Sequence, residues 1–358
     1  MSDSIRILSI DGGGIRGIIP AMFIQALLGG LKAQDAFHII AGTSTGGIIA
    51  CGLAKPDPLG LQGIIDLYVQ HGGEIFKKGV GEAAHYLHDP RYKPTALETY
   101  LASQLGSTHL SEVKNVELLV PSYAIGLPKA DSSGSTAAPM FFRSWQARGL
   151  LLGEGATSAE YDFKLDAIAR ATSAAPTFFP PATIVNKVGQ PFTMIDGGVF
   201  ANNPTICAMV EAYHLYHSRK FMVVSIGTGS EPARINTSAA AHWGDISWAL
   251  PIMSIFQDGS SQTVSVETDE LLGDYHWRFD VSLATKTPES ETVDASMDDA
   301  SPANIKALVD KAKQMIDAER DRIESLAKIL AEPKANVQPR GTKPEKGILI
   351  TPQAAASA

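Results

Sequence analysis

Twice within its first 54 residues the chain runs a short apolar stretch into glycines and straight out into a helix-length segment: "IRILSIDGGGIRGIIPAMF", then "FHIIAGTSTGGIIACGLA". The stretches at 5–10 and 37–41 are short and rich in Ile and Leu, the pattern of strands buried in a sheet. Helical spacing comes after each turn: over 15–32, with Ile18, Met22, Ala26 and Leu27 among its apolar positions, and over 48–53. Strand, tight turn and helix, repeated in that order, fit a parallel sheet with helices on both faces. The fold class expected is therefore α/β, a three-layer sandwich with a central, mostly parallel sheet and a helical C-terminal part.

The rest of the chain continues the pattern. Segments 59–70, 94–105, 163–174 and 204–217 read as helices. Segments 116–120, 140–145, 192–195 and 221–226 read as strands, and 127–139 as a polar loop. Pro204 suits a first helical turn. Segment 303–330 is the longest amphipathic candidate, with Ile305, Leu308, Ile316, Ile323 and Leu326 on one stripe. Acids and bases alternate on its other face, which favours packing on the body over lying on a membrane. Beyond Glu332 the composition turns to Pro, Lys, Ala and Gly. Residues 1–332 are read as one catalytic domain and 333–358 as a flexible C-terminal tail.

Composition narrows the function classes. The formal net charge is −8 with no basic excess, which argues against nucleic acid as a partner. The two cysteines, Cys51 and Cys207, lie in apolar helical stretches and read as reduced core thiols. No CxxC or Cys/His spacing suggests a zinc site. The N-terminus lacks a basic region followed by a long apolar core, so no signal peptide is read. No apolar run reaches the roughly 18 residues of a spanning helix. A cytoplasmic protein that touches membranes only peripherally is the expectation.

Chemistry concentrates at the two glycine turns. Gly42-Thr43-Ser44-Thr45-Gly46 matches Gly-x-Ser-x-Gly between a strand and a helix, the setting of a nucleophile elbow, although an ordinary small-residue turn would look similar. A helix N-terminus there would add positive partial charge beside Ser44. Ordering Asp11-Gly12-Gly13-Gly14-Ile15-Arg16-Gly17 is costly in backbone entropy, so bare N–H groups must be wanted. They could cradle a pyrophosphate, since Gly12, Gly14 and Gly17 match G-x-G-x-x-G, or they could hold an oxyanion. The dinucleotide version expects an acid at the end of the second strand, and Asp35 lies before that strand. A serine needs a base. None of the nine histidines has a telling setting, whereas Asp196 stands at a strand end in "FTMIDGGVFANNP". A turn cap is the competing role for Asp196.

These segments together resemble the patatin-like phospholipases: "DGGGIRG" at 11–17, "GTSTG" at 42–46, "ATSAAP" at 171–176 and "DGG" at 196–198, with "ANNP" at 201–204 and "SIGTG" at 225–229. The likeness runs from about residue 5 to 230. It implies a catalytic dyad, Ser44 as nucleophile and Asp196 as general base, with Gly12, Gly13 and Gly14 giving oxyanion N–H groups. Arg16 looks like the family's loop arginine, which would hold the loop or the developing charge. The implied reaction is hydrolysis of phospholipid or other acyl-lipid esters through an acyl-enzyme, with no metal and no cofactor. Ile48, Phe178, Phe179 and Phe200 are candidate linings of an acyl channel, and Phe76, Lys77 and Lys78 a candidate membrane flap. Short bacterial proteins of this resemblance include antiphage effectors switched on by cyclic nucleotides, so a cyclic-nucleotide activator is a further expectation. Two rivals stay open: a Ser–Asp–His esterase using His276, and a nucleotide-binding module without turnover.

Overall fold

The computed structural model describes residues 4–77, 89–128, 136–218, 220–230, 237–284 and 293–341. Lys78 and residues 342–358 therefore lie outside the described residues. Among the described residues eight strands form one sheet: β1 Ile5–Ile10, β2 Ile39–Gly42, β3 Glu117–Gly126, β4 Ala138–Arg143, β5 Ala182–Val185, β6 Pro191–Asp196, β7 Phe221–Ile226 and β8 His276–Phe279. The order is β5-β6-β3-β2-β1-β7-β8, with β4 also on β3. Pairings among β3, β2, β1, β7 and β8 are parallel, and those of β4, β5 and β6 antiparallel.

Side-chain alternation sorts the strand residues into two cores. Leu8, Ile10, Ile40, Leu118, Val120, Val224 and Ile226 pack with helices Ile18–Leu28, Thr45–Ala54, Leu61–Ile75 and Leu165–Thr172. Ile5, Ile7, Ile39, Ala41, Leu119, Phe221 and Val223 pack with helix Thr205–Tyr216 and Trp145. Both faces of the sheet are covered, which makes three layers. Cys51 belongs to the first core and Cys207 packs against the second, and both thiols are free.

The expected long helix at 303–330 is two helices, Pro302–Ala318 and Arg320–Ala331, separated at Glu319 (φ −99°, ψ 12°). The break lets Leu308 and Met315 on one arm, and Ile323 and Leu326 on the other, reach the same core. Ser301 caps the first arm by accepting from Asn304 N–H, and Pro302 fills its first turn. Segment 140–145 is strand only to Arg143 and then turns into helix Ser144–Ala147. Residues 333–341 lie against the body: Lys334 Nζ donates to Gln34 O, Phe37 O and Asn115 O at 2.6, 2.7 and 3.0 Å. Among the described residues no helix is long and apolar enough to cross a membrane.

Candidate active site

Strand β3 brings the site together. Its residue Leu119 pairs with Ala41 of β2 on one side and Arg143 of β4 on the other, and Ser122 pairs with Asp196 of β6 and Met140 of β4. Since β4 holds one edge throughout, β2 and β6 share the other. Strand β2 runs parallel to β3 and β6 antiparallel, so their C-terminal ends approach head-on. Three residue steps of β3, from Leu119 to Ser122, separate them, about 10 Å at strand pitch. Ser44 leaves the end of β2 and Asp196 the end of β6, and across the gap Ser44 Oγ donates to Asp196 Oδ2 at 2.7 Å.

Local sequence makes the turn possible. Ser44 sits at φ 54°, ψ −122°, a strained conformation for a residue with a side chain. A Cβ on Gly42 would collide with Gly46 O, and one on Gly46 with Ile10 O. Glycine two residues either side of the serine is thus what lets helix Thr45–Ala54 pack onto the ends of β1 and β2. Thr172 fills the gap itself. Its Oγ1 donates to Pro121 O at 2.6 Å and accepts from Ser44 N–H at 2.9 Å, and its carbonyl accepts from Gly197 N–H at 3.3 Å. Thr172 lies in "ATSAAP", but nothing in that segment signals this bond. Replacing Thr172 with Val keeps the shape and removes both hydroxyl bonds. We expect kcat to fall about 10- to 100-fold with KM nearly unchanged, on the order of one to three kcal/mol for the lost bonds, in steady-state assays.

Asp196 is 1% exposed. Its other oxygen, Oδ1, accepts from Gly198 N–H at 2.7 Å. Burial pushes its carboxyl up to about 7, and the bonds from Ser44 and Gly198 only partly offset this. His276 lies on β8, separated from β2 by β1 and β7, with Nδ1 2.6 Å from Asp269 Oδ1. The structure does not bring it to Ser44, so the triad expectation is corrected: the partner of the serine is a carboxylate.

The glycine loop follows β1 and borders the same cavity. Gly12 differs from expectation, because its N–H is taken by Asn202 O at 3.0 Å. The N–H groups of Gly13, Gly14 and Thr45 have no acceptor among the described residues, and all three residues line the cavity with Ser44. Their direction follows from peptide planarity, since a trans peptide points its N–H opposite its carbonyl. Thr228 Oγ1 holds Gly12 O at 2.8 Å, which turns Gly13 N–H away from Thr228. Arg16 Nε holds Gly13 O at 3.3 Å, which turns Gly14 N–H away from Arg16. Arg16 also donates to Gly229 O at 3.1 Å. Below the loop Arg278 joins β8 to β1 by donating to Asp11 Oδ2 at 2.7 Å.

The cavity is lined mainly by apolar side chains, among them Ile48, Leu67, Phe76, Leu97, Phe178 and Phe179. Phe200, the fourth expected lining residue, instead stacks on Tyr123 and Phe141 at 6.2 and 5.7 Å. Phe76, expected in a flap, packs against Tyr92 and Phe179.

Residues 8–209 match the family model described as patatin-like phospholipase. The chain belongs to the patatin-like phospholipase family. Across 333 residues it is 32% identical to Patatin-like protein 1 of Arabidopsis thaliana, covering 82% of this chain and 74% of that one. Patatin-like protein 2 of Oryza sativa subsp. indica is 29% identical over 365 residues, covering 89% and 85%. Among solved structures, human GIVD cytosolic phospholipase A2 aligns over 92% of this chain and 60% of its own at 10% identity, with a TM-score of 0.47. The patatin-like family is one of lipid acyl hydrolases.

Proposed function

We propose that the chain hydrolyses fatty acyl esters of lipids by a Ser44–Asp196 dyad. The observation that carries this reading is the 2.7 Å bond from Ser44 Oγ to a buried carboxylate, beside an apolar cavity. Asp196 takes the Oγ proton as Oγ attacks the ester carbonyl carbon. The resulting O⁻ is held by N–H groups of Gly13 and Gly14, with Thr45 N–H at the start of the elbow helix as a third donor. Asp196 then gives the proton to the departing alkoxide, leaving an acyl-Ser44 ester. Water, deprotonated by Asp196, attacks that ester, and Asp196 returns the proton to Ser44 Oγ as the fatty acid leaves. A base with a pKa near the working pH suits both transfers. Arg16 acts on the loop by fixing Gly13 O.

An acyl chain fits the cavity better than a pyrophosphate does. No Lys or Arg is among its lining residues, so two phosphate charges would meet apolar walls. Fatty-acid release from mixed phospholipid vesicles tests the reading. Wild type should release fatty acid and Ser44→Ala should fall at least about 10⁴-fold; equal release by both would sink it. Adding cyclic di- and trinucleotides to the same assay reads out the activator that the resemblance implies.

The rate should also follow the carboxylate. Since Asp196 must be ionised to accept a proton and titrates at about 7, kcat/KM should climb about tenfold per pH unit below that value and level off above it. A profile already flat from pH 5 upward would contradict Asp196 as the base.

A further inference from the structure

Helix Asp245–Leu272 forms one wall of the cavity through Met253 and Gln257. Gln257 is 8% exposed, and Ser261, one turn on, accepts from Asn202 Nδ2 at 2.9 Å. The next stripe of the same helix faces outward. Trp248, Ile252 and Phe256 follow at intervals of four, with Ile252 36% and Phe256 56% exposed. Trp248 stacks edge-on against Trp243 at 5.1 Å. Four of the eight exposed large apolar residues among the described residues fall on this helix: Ile252, Phe256, Val266 and Leu271. Such a concentration on one element marks an interaction surface.

We propose that this outer face, centred on Trp248, Ile252 and Phe256, docks the chain on a zwitterionic lipid bilayer and sets the mouth of the Ser44 cavity against it. The inference rests on the acyl-hydrolase reading of that cavity. Two observations select a lipid surface as the occupant. One helix supplies both the cavity wall and the exposed stripe, so whatever covers the stripe stands one helix away from the cavity. The cavity offers about 70 Å³, less than half of a ~150 Å³ cavity that takes up benzene, so seating a long acyl chain calls for its wall to move. Pro251, which lacks an N–H for its helical bond, and Gly259 weaken this helix on either side of Met253 and Gln257. Charge selects the lipid class. Residues 235–277 contain no Lys or Arg, and the half-buried Asp258 follows Phe256 and Gln257 on the helix. The helix itself offers anionic headgroups no cation, so its contact rests on apolar insertion with tryptophan at the interface.

The test uses the full chain. Co-sedimentation with phosphatidylcholine vesicles is measured for Ser44→Ala and for Ser44→Ala carrying Ile252→Ser and Phe256→Ser. Binding should drop about 10- to 100-fold in the latter, while raising NaCl from 0.1 to 0.5 M or adding anionic lipid should change it less than about twofold. In the active chain the same pair of substitutions should depress vesicle hydrolysis equally and leave hydrolysis of dissolved p-nitrophenyl butyrate within about twofold. Phe256→Trp should retain vesicle binding, which separates docking from damage to the fold. Undiminished binding by the double substitution overturns the proposal. So does binding that appears only with anionic lipid and fades in salt, or a wild-type dimer that Phe256→Ser dissociates. Because sedimentation is read in the Ser44→Ala background, it stands even if no ester is hydrolysed, and that second failure would fall on the catalytic reading alone.

Discussion

Replacing Asp196 with Asn is expected to lower kcat/KM for an acyl ester about 10⁴-fold, the scale seen when a catalytic carboxylate becomes an amide without change of shape. The amide can still accept from Gly198 N–H, and its NH₂ can donate to Ser44 Oγ, so the fold should hold while the base is gone. The same change should stabilise the protein in alkaline solution. Asp196 is raised to about 7 in the folded chain against an ordinary 3.8. Between those values the native state keeps a proton that the unfolded chain has released, so wild-type stability falls as pH rises, and above about 7 the loss is complete. Asn carries no such penalty. Its advantage over wild type should therefore grow by roughly 2–3 kcal/mol between pH 5 and pH 8. Urea denaturation of both proteins at the two pH values measures it. A gap that is constant or shrinks with pH would show that burial of this carboxylate costs nothing.

Gly13→Ala should cost about 10² to 10³ in kcat, the usual scale for losing one oxyanion donor, with KM changed little. An added Cβ would sit 2.6 Å from Thr228 Cβ and 2.9 Å from its Cγ2. Thr228 is buried and holds Gly12 O, so the loop and not the threonine must move. That movement turns Gly13 N–H from its aim. Single-turnover kinetics should place the loss in acyl-enzyme formation, and an unaltered acylation rate would mean that the oxyanion is held elsewhere.

Fold and site are legible in the sequence where local pattern and tertiary role coincide. The buried strands β1, β2 and β7 announce themselves as apolar runs, because both faces of the sheet are covered there. The elbow is legible because a sharp turn around a serine demands glycines at fixed spacing. Pattern fails where long-range contact decides. Helix Asp245–Leu272 is hidden in the sequence: Pro251, Gly259 and scattered serines interrupt its apolar spacing, and its partners are the distant helices Gly198–Ala201 and Thr205–Tyr216. Strand β8 carries Arg278, an unpromising strand residue until Asp11 is set beside it. Lys334 belongs to a stretch that reads as tail, yet its ammonium gathers three carbonyls from distant segments. Gly12 and Phe200 show the same limit in the site. Each has the right residue type, but its neighbours, Asn202 for one and Tyr123 with Phe141 for the other, assign it different work.

The two strands that meet nose to nose on β3 turn that strand into a ruler. Nucleophile and base lie 152 residues apart in the chain, but the span between them is fixed by a fragment from Leu119 to Ser122. Loops elsewhere in the intervening sequence can lengthen or shorten without detuning the pair, as long as that fragment keeps its count and Thr172 keeps its bonds to Ser44 and Pro121. A single residue inserted or deleted there would shift the spacing by about 3.3 Å and reverse which face each later side chain occupies. The chemistry is thus most vulnerable to length changes in a strand that contributes neither reacting group.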